Sequence, residues 1–240
     1  QNNVHLIWYG LGWGSNPAKY NIQYRKRTSG GWQTQEPLTD LAEDQGDPSI
    51  AIDDSDNIHV VYWGKGHGDY TARNHIIYRK RTTSWGSEED ITNIDYDQAS
   101  PVIALDSQGN VYVTWRGTGY GSNPTYYNEK LRKRTSSGWE TTEDVTDTAA
   151  TYNEPSLSID ANDYITVFWD RGNNIWCRKK TATWQDVEQK SDFNTNEYPN
   201  SLWANHPKFT WGRPCRPLTG WTKIWTINSD DAYFYFGDPT

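Results

Sequence analysis

The sequence predicts an all-β chain made of similar units, and three observations support this. One pattern recurs at a regular interval, since the equivalent positions Val4, Ile58, Val111 and Ile165 lie 53 or 54 residues apart. Each unit holds short runs of β-branched and aromatic residues, which favour strands. No window shows a sustained helical period. A regular period of this size indicates a propeller, a solenoid or an array.

The second repeat shows how one unit is built. Four short strands, A to D, are predicted at residues 49–53, 57–64, 75–81 and 85–92. One face of strand B carries Ile58, Val60 and Tyr62. The other face carries Val61 and Trp63, so both faces are largely apolar and the strand is expected to be covered on both sides. Four-stranded antiparallel units repeated around an axis are the blades of a β-propeller.

The repeats make the whole chain, residues 1–240, one predicted propeller domain. Its units are expected at about residues 2–40, 48–92, 101–146, 155–189 and 199–237. The first unit starts at strand B, and the last unit is degenerate. We therefore predict a ring of five blades with an unusual closure, in which a strand at residues 232–236 helps to complete the first blade. The alternative is that the chain is part of a larger ring.

The turns between strands A and B are rich in Asp, Asn and Gly, which tolerate the left-handed backbone of tight hairpins. They lie at residues 53–57, 106–110 and 160–163. A calcium site is the alternative interpretation of these acidic turns, but the set of oxygen ligands of a calcium loop is incomplete. The sequence therefore predicts no metal and no cofactor.

The third repeat carries the clearest family resemblance. An Asp-x-x-Gly-Asn hairpin at residues 106–110 precedes a Val-x-Val-x-Trp strand, and an Arg-Lys-Arg strand and a Ser/Thr-Gly-Trp turn follow. This order resembles the BNR or Asp-box propellers of the sialidase superfamily, over residues 2–189 and more weakly beyond. The turn at residues 135–139 keeps the hydroxyls, Gly and Trp of that family's box but has no Asp. The resemblance implies a propeller that binds glycans or lies beside a catalytic domain.

A basic triplet occupies strand C of the first four units, at residues 25–27, 79–81, 132–134 and 178–180. Because it recurs, we predict a structural role, in which the long side chains cover aromatic residues and pair with acidic D strands. The alternative is an anion-binding stripe.

The connections between strands B and C are long in three units, at residues 10–20, 64–74 and 117–127, and all should emerge on one face. Loops on a rigid scaffold are where binding and catalysis usually occur. Aromatic planes beside polar donors suit sugar rings. The predicted ligand-binding residues are Trp13, Asn16, Tyr20, His67, Tyr70, Arg73, Arg116, Tyr120, Asn123 and Tyr126. The alternative is that the Gly-Ser-Asn-Pro stretches are turns whose aromatic neighbours fold back onto the scaffold.

Candidate catalytic groups on this face are few. A glycosidase needs two placed carboxylates, and the candidates are Asp69, Asp97, Glu154, Asp170 and Glu197. A sialidase-like site would add converging arginines, for which Arg116, Arg171 and more loosely Arg73 are candidates. A polysaccharide lyase could use His67 or Tyr70 as a base. The spacing requires none of these, so no catalytic residue is assigned.

Composition limits the partners. Acidic residues outnumber basic ones by 31 to 23, for a net charge of −8, which disfavours nucleic acid and anionic membranes. No apolar run reaches the roughly 20 residues of a membrane-spanning helix, so no membrane insertion is predicted. The chain begins with Gln1, which we interpret as a processed or excised segment. Cys177 and Cys215 predict a disulfide in an extracellular chain, and two separate thiols are the alternative.

Together these observations predict an extracellular or cell-surface propeller that binds a glycan or polysaccharide, or serves in adhesion, without catalysis. Two alternatives stay open. The first is a carbohydrate-active enzyme, either a sialidase-like glycosidase or a polysaccharide lyase. The second is a structural module of a larger surface or viral assembly.

Overall fold

The computed structural model of the chain describes residues 3–172 and 174–190, and the backbone of two further strands at Lys223–Asn228 and Asp231–Phe236. Within these ranges the regular structure consists of strands. The strands of residues 3–172 and 174–190 form four successive antiparallel sheets, consistent with the predicted β-propeller, and we call these sheets blades 1 to 4. No described segment is a helix long and apolar enough to cross a bilayer.

The strands follow in chain order. Blade 1 contains β1 (Val4–Gly10), β2 (Asn21–Thr28), β3 (Gly31–Trp32) and β4 (Glu36–Pro37). Blade 2 contains β5 (Gln45–Ile52), β6 (Ile58–Gly64), β7 (His75–Arg81) and β8 (Trp85–Asp90). Blade 3 contains β9 (Gln98–Leu105), β10 (Val111–Gly117), β11 (Asn128–Thr135), β12 (Gly138–Trp139) and β13 (Glu143–Asp144). Blade 4 contains β14 (Asn153–Ile159), β15 (Ile165–Arg171), β16 (Asn174–Lys180) and β17 (Trp184–Gln189).

The predicted four-stranded pattern is confirmed in blade 2, where strands A to D are β5 to β8 and pair in that order. Strand A differs from the prediction because it begins earlier, at Gln45 rather than at Ser49. A β-bulge between Gly46 and Ser49 separates the added segment from the rest of the strand. Propensity alone did not show this segment, because its Gly-Asp-Pro sequence is typical of a turn.

The last repeat contributes two described strands, β18 (Lys223–Asn228) and β19 (Asp231–Phe236), which pair antiparallel. The second of them matches the strand that the sequence predicts at residues 232–236. Glu197 and Cys215 lie outside the described residues, so the disulfide from Cys177, which is buried in β16, stays a prediction. The number of blades also stays a prediction.

The hydrophobic core lies between the blades and not within a single sheet. Three clusters fill the contacts of blade 1 with blade 2, blade 2 with blade 3, and blade 3 with blade 4. The first strands of blades 2, 3 and 4 also lie side by side, since β5 packs on β9 and β9 on β14. We call β5, β9 and β14 the inner strands. Each blade therefore depends on its neighbours for burial, as in repeat architectures generally.

The first blade shows what happens without a neighbour. Val4 and Leu6 of β1 are 50% and 46% exposed, whereas their equivalents in blade 2, Ile58 and Val60, are buried against blade 1. Blade 1 has no preceding blade among the described residues. The same apolar pattern is therefore covered in one blade and open in another.

The basic triplets connect each blade to the one before it. Arg132 of blade 3 donates a hydrogen bond to the Ile91 carbonyl of blade 2, and Arg134 forms a bidentate ion pair with Glu89 at 2.9 Å. In blade 4, Arg178 Nη1 donates to the Val145 carbonyl at 2.7 Å. These contacts support the structural interpretation of the triplets over the anion-binding stripe.

The first aspartate of each acidic A–B hairpin accepts hydrogen bonds from within its own turn. The Asp53 carboxylate accepts hydrogen bonds from the backbone amides of Ser55 and Asn57 at 3.0 and 2.8 Å. Asp106 does the same for Gln108 and Asn110. Among the described residues, no group of three or more His, Cys, Asp or Glu side chains is arranged to hold a metal ion. The hydrogen bonds of Asp53 and Asp106 fix the backbone of these tight turns.

Candidate functional site

The long B–C loops lie at the same end of each blade as the connection from its last strand to the next blade. Asp40 in that connection of blade 1 accepts hydrogen bonds from the Ser15 and Asn16 amides at 2.8 and 3.2 Å. Asp147 of blade 3 accepts equivalent bonds from Ser122 and Asn123. We call this end of the blades the loop face. The opposite end, which carries the A–B hairpins, is the hairpin face.

The Gly-Ser-Asn-Pro stretches are braced by these aspartates. The amides of Ser15 and Ser122 hold the pKa values of Asp40 and Asp147 below the ordinary value. Gly14 has a φ of +69°, and a Cβ at this position would lie 2.5 Å from an Asp40 carboxyl oxygen. The motif is therefore a turn with a close backbone approach.

Several predicted binding residues pack onto their own blade. Asn16 and Asn123 donate side-chain hydrogen bonds to the bracing aspartates at 3.4 and 3.1 Å. Trp13 packs edge-on against Trp8, with ring centroids 6.2 Å apart.

Tyr120 and His67 also pack inward. Tyr120 packs against Trp115 at 6.4 Å, and its ring lies 5.0 Å from the Lys130 ammonium. His67 is buried and its Nε2 lies 3.0 Å from Gln45 Oε1. Burial lowers the pKa of His67, which keeps the ring neutral at pH 7.

Others among the predicted residues face solvent. Tyr20, Tyr70 and Tyr126 are 44%, 42% and 39% exposed. Arg73 is paired with Asp95 and Asp97 at 2.9 and 3.6 Å. The loops therefore offer separate exposed rings, and the role of these residues as ligand contacts stays a prediction.

A second group of side chains lies where the inner strands begin, at the loop face. Asp47, Ser100 and Glu154 have φ values of 45°, 51° and 47°, and each precedes a proline. Each lies at the bulge of its inner strand. A positive φ is uncommon for residues other than glycine and costs about 1–3 kcal/mol, so three equivalent cases indicate a built feature of the fold.

The ends of the B strands lie beside these bulges. We give the name inner rim to the bulge residues and strand ends together, which are Asp47, Ser100, Glu154, Tyr9, Trp63, Arg116 and Asp170. The backbone is the same at equivalent rim positions, whereas the side chains are aromatic, cationic, anionic or neutral. Positions that differ within a shared backbone are better candidates for a site than positions that repeat.

The rim between blades 1 and 2 is aromatic. Tyr9 and Tyr20 are each 44% exposed, and their ring centroids lie 5.8 Å apart. Burial raises the pKa of Tyr9, and its hydrogen bond with Asp47 raises it further. Two exposed rings beside a carboxylate form a surface that offers both an apolar plane and a hydrogen-bond acceptor.

The rim between blades 3 and 4 is polar and connected. Arg116 Nη1 donates a hydrogen bond to Asn153 Oδ1 at 2.6 Å, and Asn153 Nδ2 donates to Asp170 Oδ1 at 3.2 Å. The Tyr127 ring lies 5.2 Å from the Arg116 guanidinium. The network brings together Arg116, Asp170 and the bulge at Glu154, all of which the sequence analysis considered as candidates.

Glu129 lies beneath this network and is the residue that sequence reasoning missed. It is the cross-strand neighbour of Arg116 and is fully buried. Burial raises the pKa of Glu129 to about 8, and Arg116 opposes that shift. The equivalent residues in the other three blades are Ile22, Ile76 and Ile175. An alignment of the four C strands would have shown this one carboxyl among isoleucines.

The remaining predicted carboxylates are held within the loops. Asp69 bonds to Asn93 at 2.8 Å, and Asp97 accepts from the Asn74 amide at 3.0 Å. The loop-face carboxylates left at the rim are Asp47, Glu154 and Asp170. With Arg116 and the Tyr9–Tyr20 pair, they can orient hydroxyl groups and cover an apolar ring face.

Solved structures share this fold. Comparison finds a protein of unknown function from Dyadobacter fermentans, with a TM-score of 0.58 and 13% identity over 78% of this chain and 65% of that one. A leech intramolecular trans-sialidase complexed with 2,7-anhydro-Neu5Ac has a TM-score of 0.59 and 10% identity, over 79% of this chain and 49% of the trans-sialidase chain. An ulvan lyase of a polysaccharide lyase family, bound to a GlcA–Rha3S saccharide, has a TM-score of 0.51 and 14% identity, over 76% of this chain and 54% of the lyase chain.

The structural similarity supports the propeller-like fold, and identities of 10–14% carry no conclusion about activity. No family model matches the sequence, and no curated protein matches it. This chain also spans less than two thirds of each of the three solved chains. The resemblance to Asp-box repeats therefore stays a prediction.

Proposed function

We propose that this chain is a carbohydrate-binding propeller of the extracellular space or cell surface, and that the glycan contacts the inner rim. The observation that carries the proposal is the divergence of side chains at equivalent rim positions on a shared, strained backbone. Sugar rings present apolar C–H faces edged by hydroxyls. The Tyr9–Tyr20 pair offers planes for the faces, and Arg116, Asp47 and Glu154 offer partners for the hydroxyls.

The charge of the rim favours neutral sugars. Asp47, Glu154 and Asp170 stand against one cation, Arg116, and the whole chain carries a net charge of −8. An acidic sugar would meet repulsion from these carboxylates, at a cost that salt would screen. A neutral polysaccharide or oligosaccharide is therefore the expected ligand.

A carbohydrate-active enzyme is the second candidate. Glu154 and Asp170 lie on the same stretch of rim beside Arg116 and Asn153, and a glycosidase needs two carboxylates flanking the bond it breaks. Glu129 cannot be one of the pair, because its carboxyl is fully buried. A role within a larger surface assembly is compatible with either function.

A glycan panel with neutral, uronate-containing and sialylated oligosaccharides tests the proposal. We expect binding of neutral members, weakened roughly three- to tenfold by Tyr9→Ala because one stacked ring is lost. The matched control is Tyr164→Ala, since Tyr164 is similarly exposed at 38% but lies on the hairpin face. Equal losses for the two variants, or no binding by any member, would contradict the rim assignment.

The same panel separates the two candidate functions. Incubated glycans are analysed for shortened or unsaturated products by mass spectrometry. A binding module leaves every glycan intact. Products that disappear in Glu154→Gln or Asp170→Asn would instead identify an enzyme.

A further inference from the structure

The buried carboxyl of Glu129 lacks hydrogen-bond partners, and the proposed glycan contacts do not include it. Neither of its carboxyl oxygens has a hydrogen-bond partner, and neither has Arg116 Nε, among the residues that the structure describes. Buried polar groups are nearly always hydrogen-bonded, so each exception needs an explanation. Among the exceptions that the described residues show, Glu129 and Arg116 are cross-strand neighbours.

The register explains why the two groups can meet. Arg116 and Glu129 are paired across β10 and β11. Side chains alternate between the two faces of a strand, so residues two or four positions apart share a face. Tyr112 lies four residues before Arg116 on β10, and Leu131 lies two residues after Glu129 on β11. Both pack into the core between blades 3 and 4. Both Arg116 and Glu129 therefore face blade 4. The Nε–H group of Arg116 and the carboxyl of Glu129 are therefore an unpaired donor and an unpaired acceptor on the same face of one strand pair.

We propose that Glu129 is a positioning residue for Arg116. As a neutral acid it leaves the guanidinium bonded to Asn153 at the inner rim, and as a carboxylate it draws the guanidinium inward. This proposal rests on the proposed function of the rim, because it assigns Arg116 to the ligand-contacting side. Glu129 itself touches no ligand.

The charged groups around Glu129 influence its pKa, and so the pH range in which it would change charge. Arg116 faces it from β10, Glu154 from β14 and Asp170 from β15, and Lys130 is its neighbour on β11. Lys130 is engaged with Asp144 at 2.6 Å. Burial is the largest influence and Glu154 and Asp170 add to it, whereas Arg116 and Lys130 oppose it, so the pKa of Glu129 is raised to about 8.

The consequence for binding is a loss at high pH. Below pH 8 Glu129 is neutral and Arg116 stays at the rim, where it can donate to a glycan hydroxyl. Above pH 8 the carboxylate competes for the guanidinium. A hydrogen bond to a charged group is strong enough that its loss weakens binding roughly tenfold. The affinity should fall with a midpoint near pH 8.

The experiment observes Arg116 directly by NMR of the ¹⁵N-labelled chain. Its Nε–Hε cross-peak is assigned by its disappearance in Arg116→Lys, and the pH is raised from 6 to 10. We expect the peak to shift with a midpoint near 8 in the natural chain and to stay in place in Glu129→Gln. A peak that does not titrate, or that titrates equally in Glu129→Gln, would overturn the proposal.

A second variant protects the test against misfolding. Glu129→Ile places at this position the residue that blades 1, 2 and 4 carry there, so a folded variant without the titration is expected. The neutral oligosaccharide that binds most tightly in the panel is then measured at pH 7 and 9. A titrating peak with the same affinity at both pH values would overturn the positioning role. Absence of binding at every pH would count against the proposed function instead, while the peak still decides whether Glu129 controls Arg116.

Discussion

The contact between blades 2 and 3 and the contact between blades 3 and 4 place different chemistry on the same backbone. In the first, Ile76 is the cross-strand neighbour of Trp63 and is buried in an apolar cluster. In the second, the equivalent residues are Glu129 and Arg116. Both positions are fully buried, at 0% exposure for Ile76 and for Glu129. The fold therefore does not require a polar residue at this position.

At this position the contact between blades 3 and 4 departs from the repeat, because it carries a carboxyl where the other blades carry an isoleucine. An isoleucine at this position contributes about 1.5–3 kcal/mol of hydrophobic burial, whereas a buried carboxyl costs free energy unless it is paired. The contact between blades 3 and 4 accepts that cost beside the polar rim network. A local loss of stability at a candidate site is the usual signature of function.

The largest expected effect on stability comes from placing a glutamate, as at Glu129, in the apolar contact between blades 2 and 3. Ile76→Glu should destabilise the chain by about 5 kcal/mol at pH 9, because a buried carboxylate would have no arginine opposite it. Ile76→Val is the control and should cost about 1 kcal/mol. Urea unfolding measures both. A cost for Ile76→Glu near that of Ile76→Val would mean that any blade tolerates the carboxyl, and the comparison would fail.

The next effect is the pH dependence of stability. The pKa of Glu129 is about 8 in the folded chain and has an ordinary value of 4.5, so the folded state holds a proton that the unfolded state releases between these values. The free energy of unfolding should therefore fall as pH rises from about 4.5 to about 8, by roughly 5 kcal/mol in total.

Glu129→Gln removes this proton and isolates its effect from other titrating groups. The difference between the natural chain and the variant, followed by urea unfolding from pH 5 to 9, should change steadily and level off above pH 8. A constant difference over this range would show that Glu129 does not titrate there.

A smaller effect separates packed from exposed loop rings. Tyr120→Ala should cost about 2–3 kcal/mol, because the ring packs against Trp115 and the Lys130 ammonium. Tyr126→Ala, in the same loop, should change stability by less than about 0.5 kcal/mol, because Tyr126 is exposed. Thermal unfolding of the two variants checks this, and similar values would contradict the division of the loop.

The smallest effect concerns the connections between blades and the predicted ring. Arg134→Ala removes a partly exposed ion pair with Glu89 and should cost about 1 kcal/mol. Arg27 is the equivalent residue of blade 1. A closed five-bladed ring predicts a comparable cost for Arg27→Ala, measured by urea unfolding. An Arg27→Ala chain as stable as the natural one would count against closure over that face.

Much of the fold could be predicted from the sequence, because the repeat is written in local patterns. Short runs of β-branched and aromatic residues between turn residues predict strands B and C of blade 2 to within one residue. The beginning of strand A could not be predicted in this way, because Gly46 and Asp47 are typical of a turn. In the structure, Gln45 and Gly46 pair with β6, and Asp47 lies in the bulge that follows. The sequence predicted that the basic triplets pair with acidic D strands. It did not predict which blade supplies the partner, because the contacts cross from one blade to the preceding one.

The candidate site divides in the same way. The sequence by itself determined the repeat, the strands and the loop face, because these follow from residue type and spacing. Only the tertiary structure decided that Asn16 and Asn123 brace their loops, that Arg116 reaches Asn153 of the next blade, and that Glu129 lies buried beneath it. The physical reason is that burial, pairing and pKa depend on groups distant in the chain, which meet only when one blade packs on the next.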